Sequence, residues 1–373
     1  MNVLVDGRPF VKTSAGISTF LRCSLVEWGR LNQNSNIYVF LPKRLDETLD
    51  FSQLPSNVKM LRCDCWLTNR IPNLLLLLLY VPIICRLLKI DVYYAPVPCL
   101  PFGLSSKIKK LIVVHDVVNL DQADTMEFKN RISNRLFFFR SIKKADYIWT
   151  NSAYTKERVC HYVPNRNCQE IFTGCSVDRF IYKKLDLNQN AVDDVKKQYG
   201  IKEKFILFVG SLEPRKNLTF LLQIIPTLYR KYGIQLVVVG GKGWKNSEIK
   251  NIVLSEDFPK DSTLFCGYVS NEDLAKLYNV ANCFVSASIG EGFGMPQLEA
   301  MLCGCPVVTA HNTAMIEVAQ GKTAAYTVDG YDKNVWIETI AKVVSRKEET
   351  IESEFNSFDW NVIVKGLHGY IGI

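Results

Sequence analysis

No stretch of this sequence is apolar for the ~20 residues that a bilayer-spanning helix requires. The nearest approach is an unbroken leucine run from Leu74 to Leu79, continued by apolar residues to Leu88 but bounded by Asn73 and interrupted by Pro82 and Arg86. It reads as a buried helix in preference to a helix lying on a membrane surface, with a true span least favoured. The opening residues Met1-Asn2-Val3-Leu4-Val5-Asp6 lack the basic region and apolar stretch of an export signal and read as a short strand, so a cytoplasmic protein is expected. An acidic excess is also missing: 45 Lys and Arg stand against 37 Asp and Glu, a formal net charge of +8. That balance favours phosphates, acidic lipid surfaces or nucleic acid. The basic residues form no long run, no zinc-finger spacing and no stripe interleaved with aromatics, which argues against nucleic acid. The 12 Cys include the pairs Cys63/Cys65 and Cys303/Cys305, each one residue apart rather than the two of common zinc or redox sites. Small buried thiols in a reducing compartment are the expectation. A Gly-Lys-Ser/Thr phosphate loop, a Gly-x-Gly-x-x-Gly nucleotide loop and an Asp-x-Asp pair are all absent. No metal and no resident cofactor are therefore expected, and a phosphate ligand would be neutralised by side-chain cations and helix ends.

What the chain does contain is the material of a large α/β fold. Of its 373 residues, 48% are hydrophobic and 22% charged, which are globular proportions. Short β-branched runs at 3–5, 37–40, 92–94, 110–114 and 147–150 alternate with helical stretches such as 17–31 and 130–144. The second half repeats the pattern, with strands expected at 205–209, 235–239, 263–265, 283–286 and 306–309. Such alternation predicts open parallel sheets with helices on both faces, which bind ligands at the carboxyl ends of their strands. A turn-rich stretch at Gly174-Cys175-Ser176-Val177-Asp178 divides the pattern. The expected organisation is a first domain over 1–178, a second over 179–355, and a last helix over 356–373 that returns to the first.

Two segments and two isolated positions carry candidate chemistry. The strongest is Gly290-Glu291-Gly292-Phe293-Gly294-Met295-Pro296-Gln297-Leu298-Glu299, which follows a strand and opens a helix. Its glycines allow close backbone approach, and their N–H groups with the helix N-terminus make an anion site. Carboxylates repel phosphate, so Glu291 and Glu299 point instead to hydroxyl donors. A ligand bearing both phosphates and hydroxyls is a nucleotide sugar. The second is Gly210-Ser211-Leu212-Glu213-Pro214-Arg215-Lys216-Asn217-Leu218, where Asn217 is expected to cap the following helix. Arg215 and Lys216 then sit at a helix N-terminus, where cations are unfavourable unless an anion binds there. His115-Asp116 ends a strand at the side where ligands bind, although a lone His there is more often purely structural. Gly16, before the helix 17–31, offers an N–H to a phosphate or belongs to a plain loop.

These segments, with Cys266-Gly267-Tyr268-Val269-Ser270-Asn271-Glu272-Asp273-Leu274 and Thr150-Asn151-Ser152-Ala153-Tyr154-Thr155, resemble the retaining, GT-B-fold glycosyltransferases known as family 4. The resemblance implies two Rossmann-like domains facing each other across a cleft. It implies that Glu291 holds hydroxyls of the donor sugar and Glu299 the ribose. Arg215 and Lys216 would stabilise the departing nucleoside diphosphate, and His115 would lie near the anomeric carbon. Gly16, Gly210, Ser211, Tyr268, Gly292, Phe293, Gly294 and Met295 complete the implied nucleotide-sugar site, with Asp116 on the acceptor side. Ala15 stands where many members have a second glycine. The family acts by a front-face mechanism without metal or an obligatory general base. The Leu-Glu-Pro-Arg-Lys-Asn form is similar to that of bacterial mannosyl- and rhamnosyltransferases of O-antigen or capsule synthesis. That implies GDP-mannose as donor and a lipid-linked glycan acceptor. The net charge of +8 and the Leu74–Leu79 run add the expectation of peripheral contact with an anionic membrane at its inner face. A UDP- or dTDP-sugar transferase, an epimerase or phosphorylase, a non-catalytic homologue and a membrane-embedded transferase are the alternatives.

Overall fold

The computed structural model describes residues 1–11, 15–42, 51–63, 70–117, 128–164, 166–202, 204–241, 247–346 and 350–372. The chain divides into two compact units, one of Met1–Val177 with Ser357–Ile373 and one of Asp178–Asn356.

The first unit runs β1 (Asn2–Asp6), α1 (Ala15–Leu31), β2 (Asn36–Leu41), β3 (Val58–Arg62), α2 (Asn73–Leu87), β4 (Val92–Ala95), β5 (Lys109–Val114), α3 (Phe128–Lys144), β6 (Tyr147–Thr150), α4 (Ala153–Tyr162) and β7 (Ile171–Thr173). Its sheet has the order β3-β2-β1-β4-β5-β6-β7, with every pairing parallel. The chain winds outward from β1 to β3, then returns to β4 and winds the other way. The reversal lies between β1 and β4, where doubly wound sheets leave a crevice at the carboxyl ends of the strands. Strands covered on both faces read as continuous apolar runs, and Val92–Ala95 is buried at every position.

The second unit follows the same rule. It runs α5 (Gln189–Tyr199), β8 (Lys204–Val209), α6 (Leu218–Tyr232), β9 (Ile234–Val239), α7 (Ser247–Val253), β10 (Thr263–Gly267), α8 (Asn271–Val280), β11 (Cys283–Ser286), α9 (Met295–Leu302), β12 (Val307–Ala310), α10 (Thr313–Ala319), β13 (Ala325–Val328) and α11 (Lys333–Ser345). The order β10-β9-β8-β11-β12-β13 is again wholly parallel, with its reversal between β8 and β11. Both segments singled out from the sequence leave these two strands. The core behind them joins Phe208, Leu221, Leu236, Val285 and Trp336. Trp336 is held there by α11, whose cap is Asp332: its carboxylate accepts the N–H groups of Asn334 (2.9 Å) and Val335 (3.1 Å). Asp332→Ala is expected to cost about 1 kcal/mol, read as a lower melting temperature with an unchanged far-UV spectrum.

The last helix, α12 (Trp360–Ile371), joins the first unit. It buries Trp360, Ile363, Val364, Leu367 and Ile371, one helical stripe, against α1. The Trp360 indole donates to the Val177 carbonyl at 3.0 Å and meets the Phe20 ring edge-on.

Two parallel-sheet Rossmann-like units are thus present, as the strand–helix alternation predicts. The edge strands β3, β7 and β13 went unpredicted; they are short, and β3 and β13 are largely half-exposed, so apolar runs do not mark them. The leucine run does form a helix, but only one side of it is buried. Leu76, Leu77, Val81 and Cys85 face the core, whereas Leu75, Leu79, Ile83 and Leu87 face solvent. Among the described residues no helix is long and apolar enough to cross a membrane. Nine described cysteines are free and mostly buried, but Cys160 is disulfide-bonded, so the thiol expectation does not extend to it. Cys65 and Ser14 lie outside the described residues.

Candidate functional site

At the reversal of the second sheet, β8 is followed by Gly210 and β9 by Gly240, and the two backbones touch. A Cβ on Gly240 would sit 2.0 Å from the Gly210 carbonyl oxygen, so only glycine fits there. The chain then makes a single 3-10 turn, Pro214–Lys216, before α6. Asn217 departs from expectation: it adopts a left-handed conformation (φ 54°, ψ 38°) and its side chain caps nothing. Its role is to turn the backbone sharply between the 3-10 turn and the helix, which asparagine tolerates better than most residues. Arg215 and Lys216 therefore lie on the turn before the helix, not on its first turn.

The turn delivers both cations to one carboxylate. Lys216 Nζ donates to Glu291 Oε1 at 2.6 Å, and Arg215 Nη1 donates to Glu291 Oε2 at 2.9 Å. The Ser288 hydroxyl adds a bond to Oε1 at 2.8 Å. The Ile289 N–H donates to the Arg215 carbonyl at 2.8 Å, locking the two loops together. On its other side Arg215 Nε donates to Glu213 Oε2 at 3.2 Å, and Ser211 donates to Glu213 Oε1 at 2.8 Å. Burial pushes the Glu291 carboxyl upward, but Lys216, Arg215 and the bonds from Lys216 and Ser288 outweigh it and hold it below the ordinary carboxylate range. Two cations and two carboxylates thus form a nearly neutral, half-buried cluster. Glu213 and Ser288 were not among the residues singled out from the sequence, although Glu213 stands only two residues before Arg215.

Glu291 is followed by Gly292, Phe293 and Gly294. Gly294 (φ 94°) sits at the N-cap position of α9, whose second residue is Pro296. Met295 opens the helix half-buried, and Phe293 is buried. One turn on, Glu299 Oε2 accepts the Tyr278 hydroxyl at 3.1 Å. Burial pushes the Glu299 carboxyl up to about 7, with the bond from Tyr278 opposing, Asp178 reinforcing and Lys216 opposing. The two glutamates of this segment therefore differ: Glu291 is a fixed anion and Glu299 is poised to titrate. Tyr268 stands exposed on the loop after β10, apart from the hydrogen-bonded cluster.

In the first unit His115 directly follows β5 and is half-buried. A carbonyl only accepts, so Nε2–H donates to the Pro96 carbonyl (2.8 Å), and Nδ1 then accepts from Asn151 Nδ2 (3.1 Å). Burial of the ring pushes its pKa down to about 4 despite those bonds, so it is neutral at pH 7 with both nitrogens engaged. The Phe20 ring meets it edge-on. This is a positioned polar wall rather than a free acid or base. Asp116 follows it, half-buried. Gly16 lies inside the first turn of α1, not before it, so its N–H is one of those a helix leaves without an intrahelical partner. At the end of β1 stands Asp6, which the sequence motifs did not mark; it is fully buried and gripped by Arg8 (Nη2–Oδ2 2.7 Å).

Residues 192–353, less than half the chain, match the family described as Glycosyl transferases group 1. The chain is 26% identical over 225 residues to the serotype-specific mannosyltransferase WbdA of Escherichia coli, covering 58% of this chain and 27% of that protein. It is 39% identical over 117 residues to the O-antigen chain mannosyltransferase B of Escherichia coli, covering 31% of this chain and 30% of that protein. The chain thus spans under a third of the length of these relatives. In fold it is similar to sucrose-phosphate synthase from Thermosynechococcus elongatus, with a TM-score of 0.74 at 16% identity over 100% of this chain and 98% of that one. The two Rossmann-like units match the GT-B plan of such structures. The matched stretch lies within the second unit and includes Arg215, Lys216 and Glu291.

Proposed function

We propose that this chain transfers a hexose from a nucleoside diphosphate sugar to a glycan acceptor, with retention of anomeric configuration. Mannose from GDP-mannose is the proposed donor, and a lipid-linked glycan of surface polysaccharide synthesis the proposed acceptor. The observation that carries this reading is the Glu291 carboxylate clamped by Lys216 and Arg215 at the reversal of the second sheet, beside the glycine-rich start of α9.

The cluster suits an exchange of partners. Sugar hydroxyls donate to Glu291, taking over bonds that the two cations now supply, and the cations turn to the diphosphate. Charge that develops on the leaving phosphate then meets Lys216, Arg215 and the N–H groups at Gly292, Phe293 and Gly294. Glu299 accepts from ribose hydroxyls. Gly16, Gly210, Ser211, Tyr268 and Met295 line the donor, while His115 and Asp116 serve the sugar and acceptor side. The leaving phosphate itself takes the acceptor proton, so no separate general base is needed, and Arg215 and Lys216 supply the charge neutralisation that a metal would otherwise give. The relatives' names support mannose, and the Leu212-to-Asn217 form agrees with them.

The test is a donor panel in EDTA, following nucleoside diphosphate release and the anomeric signals of the product by NMR. GDP-mannose is expected to give an α-linked product at full rate. GDP at about 100 times its Kd should stabilise the fold by about 2.7 kcal/mol, more than UDP, ADP or dTDP at the same concentration. A β-linked product, or activity restored only by Mg²⁺ or Mn²⁺, overturns the mechanism; stabilisation by UDP alone overturns the donor.

A further inference from the structure

Helix α2 lacks the polar outer face of an ordinary surface helix. Its residues include no Asp or Glu, and beside the exposed Arg86 the positions turned away from the core are Leu75 (45% exposed), Leu79 (52%), Ile83 (55%) and Leu87 (75%). Their spacing of four places them in one row along the helix. A row of this kind on a globular protein marks a surface built to be covered.

The row continues onto neighbouring elements of the first unit. A Cβ placed on Gly103 would lie 4.0 Å from the Pro82 Cβ, so the loop carrying the exposed Phe102 runs beside the helix. Phe102 is roofed by the Arg140 guanidinium, 3.8 Å from the ring centroid, and meets Phe137 of α3 edge-on. Leu136, next in the chain, is 67% exposed.

The chain segments that carry this patch are rich in cations and poor in acids. From Arg70 to His115 the sequence carries Arg70, Arg86, Lys89, Lys107, Lys109 and Lys110 against a single acid, Asp91, whose carboxylate accepts the Asn2 N–H; Lys110 is paired with Asp146 at 3.1 Å and Lys109 donates to the Ile371 carbonyl. From Leu136 to the end of α3 it carries Arg140, Lys143 and Lys144 and no acid. A second copy of the chain fits poorly, because a two-fold interface would set these cations against themselves. The 15 residues of α2 reach about 22 Å, short of the ~30 Å hydrocarbon core, so the helix does not span.

We propose that this face seats the first unit on an anionic lipid bilayer, with the α2 row and Phe102 entering the acyl boundary and the surrounding cations meeting the headgroups. Both contributions are needed, since apolar area sets depth and electrostatics sets the preference for anionic lipid.

The experiment uses the full chain without donor or acceptor, and glycan-free vesicles. It should sediment with phosphatidylglycerol vesicles at low salt, stay behind with phosphatidylcholine vesicles, and leave phosphatidylglycerol at high salt. The exposed pair Leu79→Glu and Ile83→Glu should weaken that binding roughly tenfold or more with an unchanged melting temperature. Arg86→Glu with Lys89→Glu should weaken it while keeping the apolar row. Equal binding to neutral vesicles overturns the proposal. So does full binding by the Leu79/Ile83 variant, or a concentration-dependent dimer that the same variant dissociates. Sugar transfer to a soluble acceptor is read separately, so loss of vesicle binding with transfer intact defeats this inference and leaves the proposed function standing.

Discussion

Lys216→Ala and, separately, Arg215→Ala are expected to lower kcat by about 10²–10³ while changing the donor KM far less. Negative charge grows on the leaving diphosphate as the sugar–phosphate bond breaks, and a cation fixed beside it gains more in the transition state than in the ground state. Losing one such stabiliser costs roughly 2.7–4 kcal/mol. The ion pairs with Glu291 add a second consequence. Removing Lys216 leaves the carboxylate to Arg215 and Ser288 alone, in a site where it is only 11% exposed. A buried charge stripped of a partner is destabilising, so each variant needs a melt beside its kinetics. The double variant Lys216→Ala/Glu291→Gln removes the stranded charge and should melt higher than Lys216→Ala while staying as slow. Lys216→Arg keeps the charge in a different geometry and should recover activity only in part. Glu291→Gln alone should blur discrimination among donor sugars yet bind nucleoside diphosphate no more weakly, because it frees both cations from their internal counter-ion. Near-wild-type kcat in both alanine variants would make these residues structural partners of Glu291 and nothing more.

Glu299→Gln is expected to raise the melting temperature at pH 8 and to change it little near pH 4.5. The Glu299 carboxyl is pushed from its ordinary 4.5 to about 7, so between those values the folded state holds a proton that the unfolded chain has released. Stability must then fall as pH rises through that window and level off above it. The full difference is on the order of 3 kcal/mol. Glutamine keeps an acceptor for the Tyr278 hydroxyl but carries no charge to bury, so the variant escapes the loss. Donor binding should respond in the opposite sense, since an ionised carboxylate is the better acceptor for ribose hydroxyls. Nucleotide affinity in the wild type should therefore weaken as pH drops below about 7, and the variant should lose that dependence. A melting difference that is the same at pH 4.5 and pH 8 would refute the assignment.

Much of this is legible in the order of the amino acids. The alternation of β-branched runs and helices specifies two parallel sheets because each strand buried on both faces must be apolar throughout, and each crossover helix must show one apolar stripe. The 290–299 segment reads as strand, loop and helix because glycine, proline and their spacing act over a few residues. The same local rules mark where a strand ends, and hence which side chains stand at its carboxyl end, as with His115. They fail where a residue's role is set by something distant. Asn217 has the composition of a cap, yet the backbone path between two packed elements puts it in the left-handed region. The leucine run has the composition of a core helix, yet the sheet it packs against covers only one side.

The sequence by itself determined the fold class, the position of the glycine-rich turn and the presence of two cations in a strand-to-helix loop. Tertiary structure alone decided that Arg215 and Lys216 share one carboxylate 76 and 75 residues away, respectively. It also decided that Glu291 is a fixed anion while Glu299 titrates near neutrality, and that four leucine and isoleucine side chains of α2 face water. The physical reason is common to all three. Local spacing dictates backbone conformation, but which charges meet and which faces are covered depends on strand order, here β8 beside β11, and that order is a property of the assembled sheet.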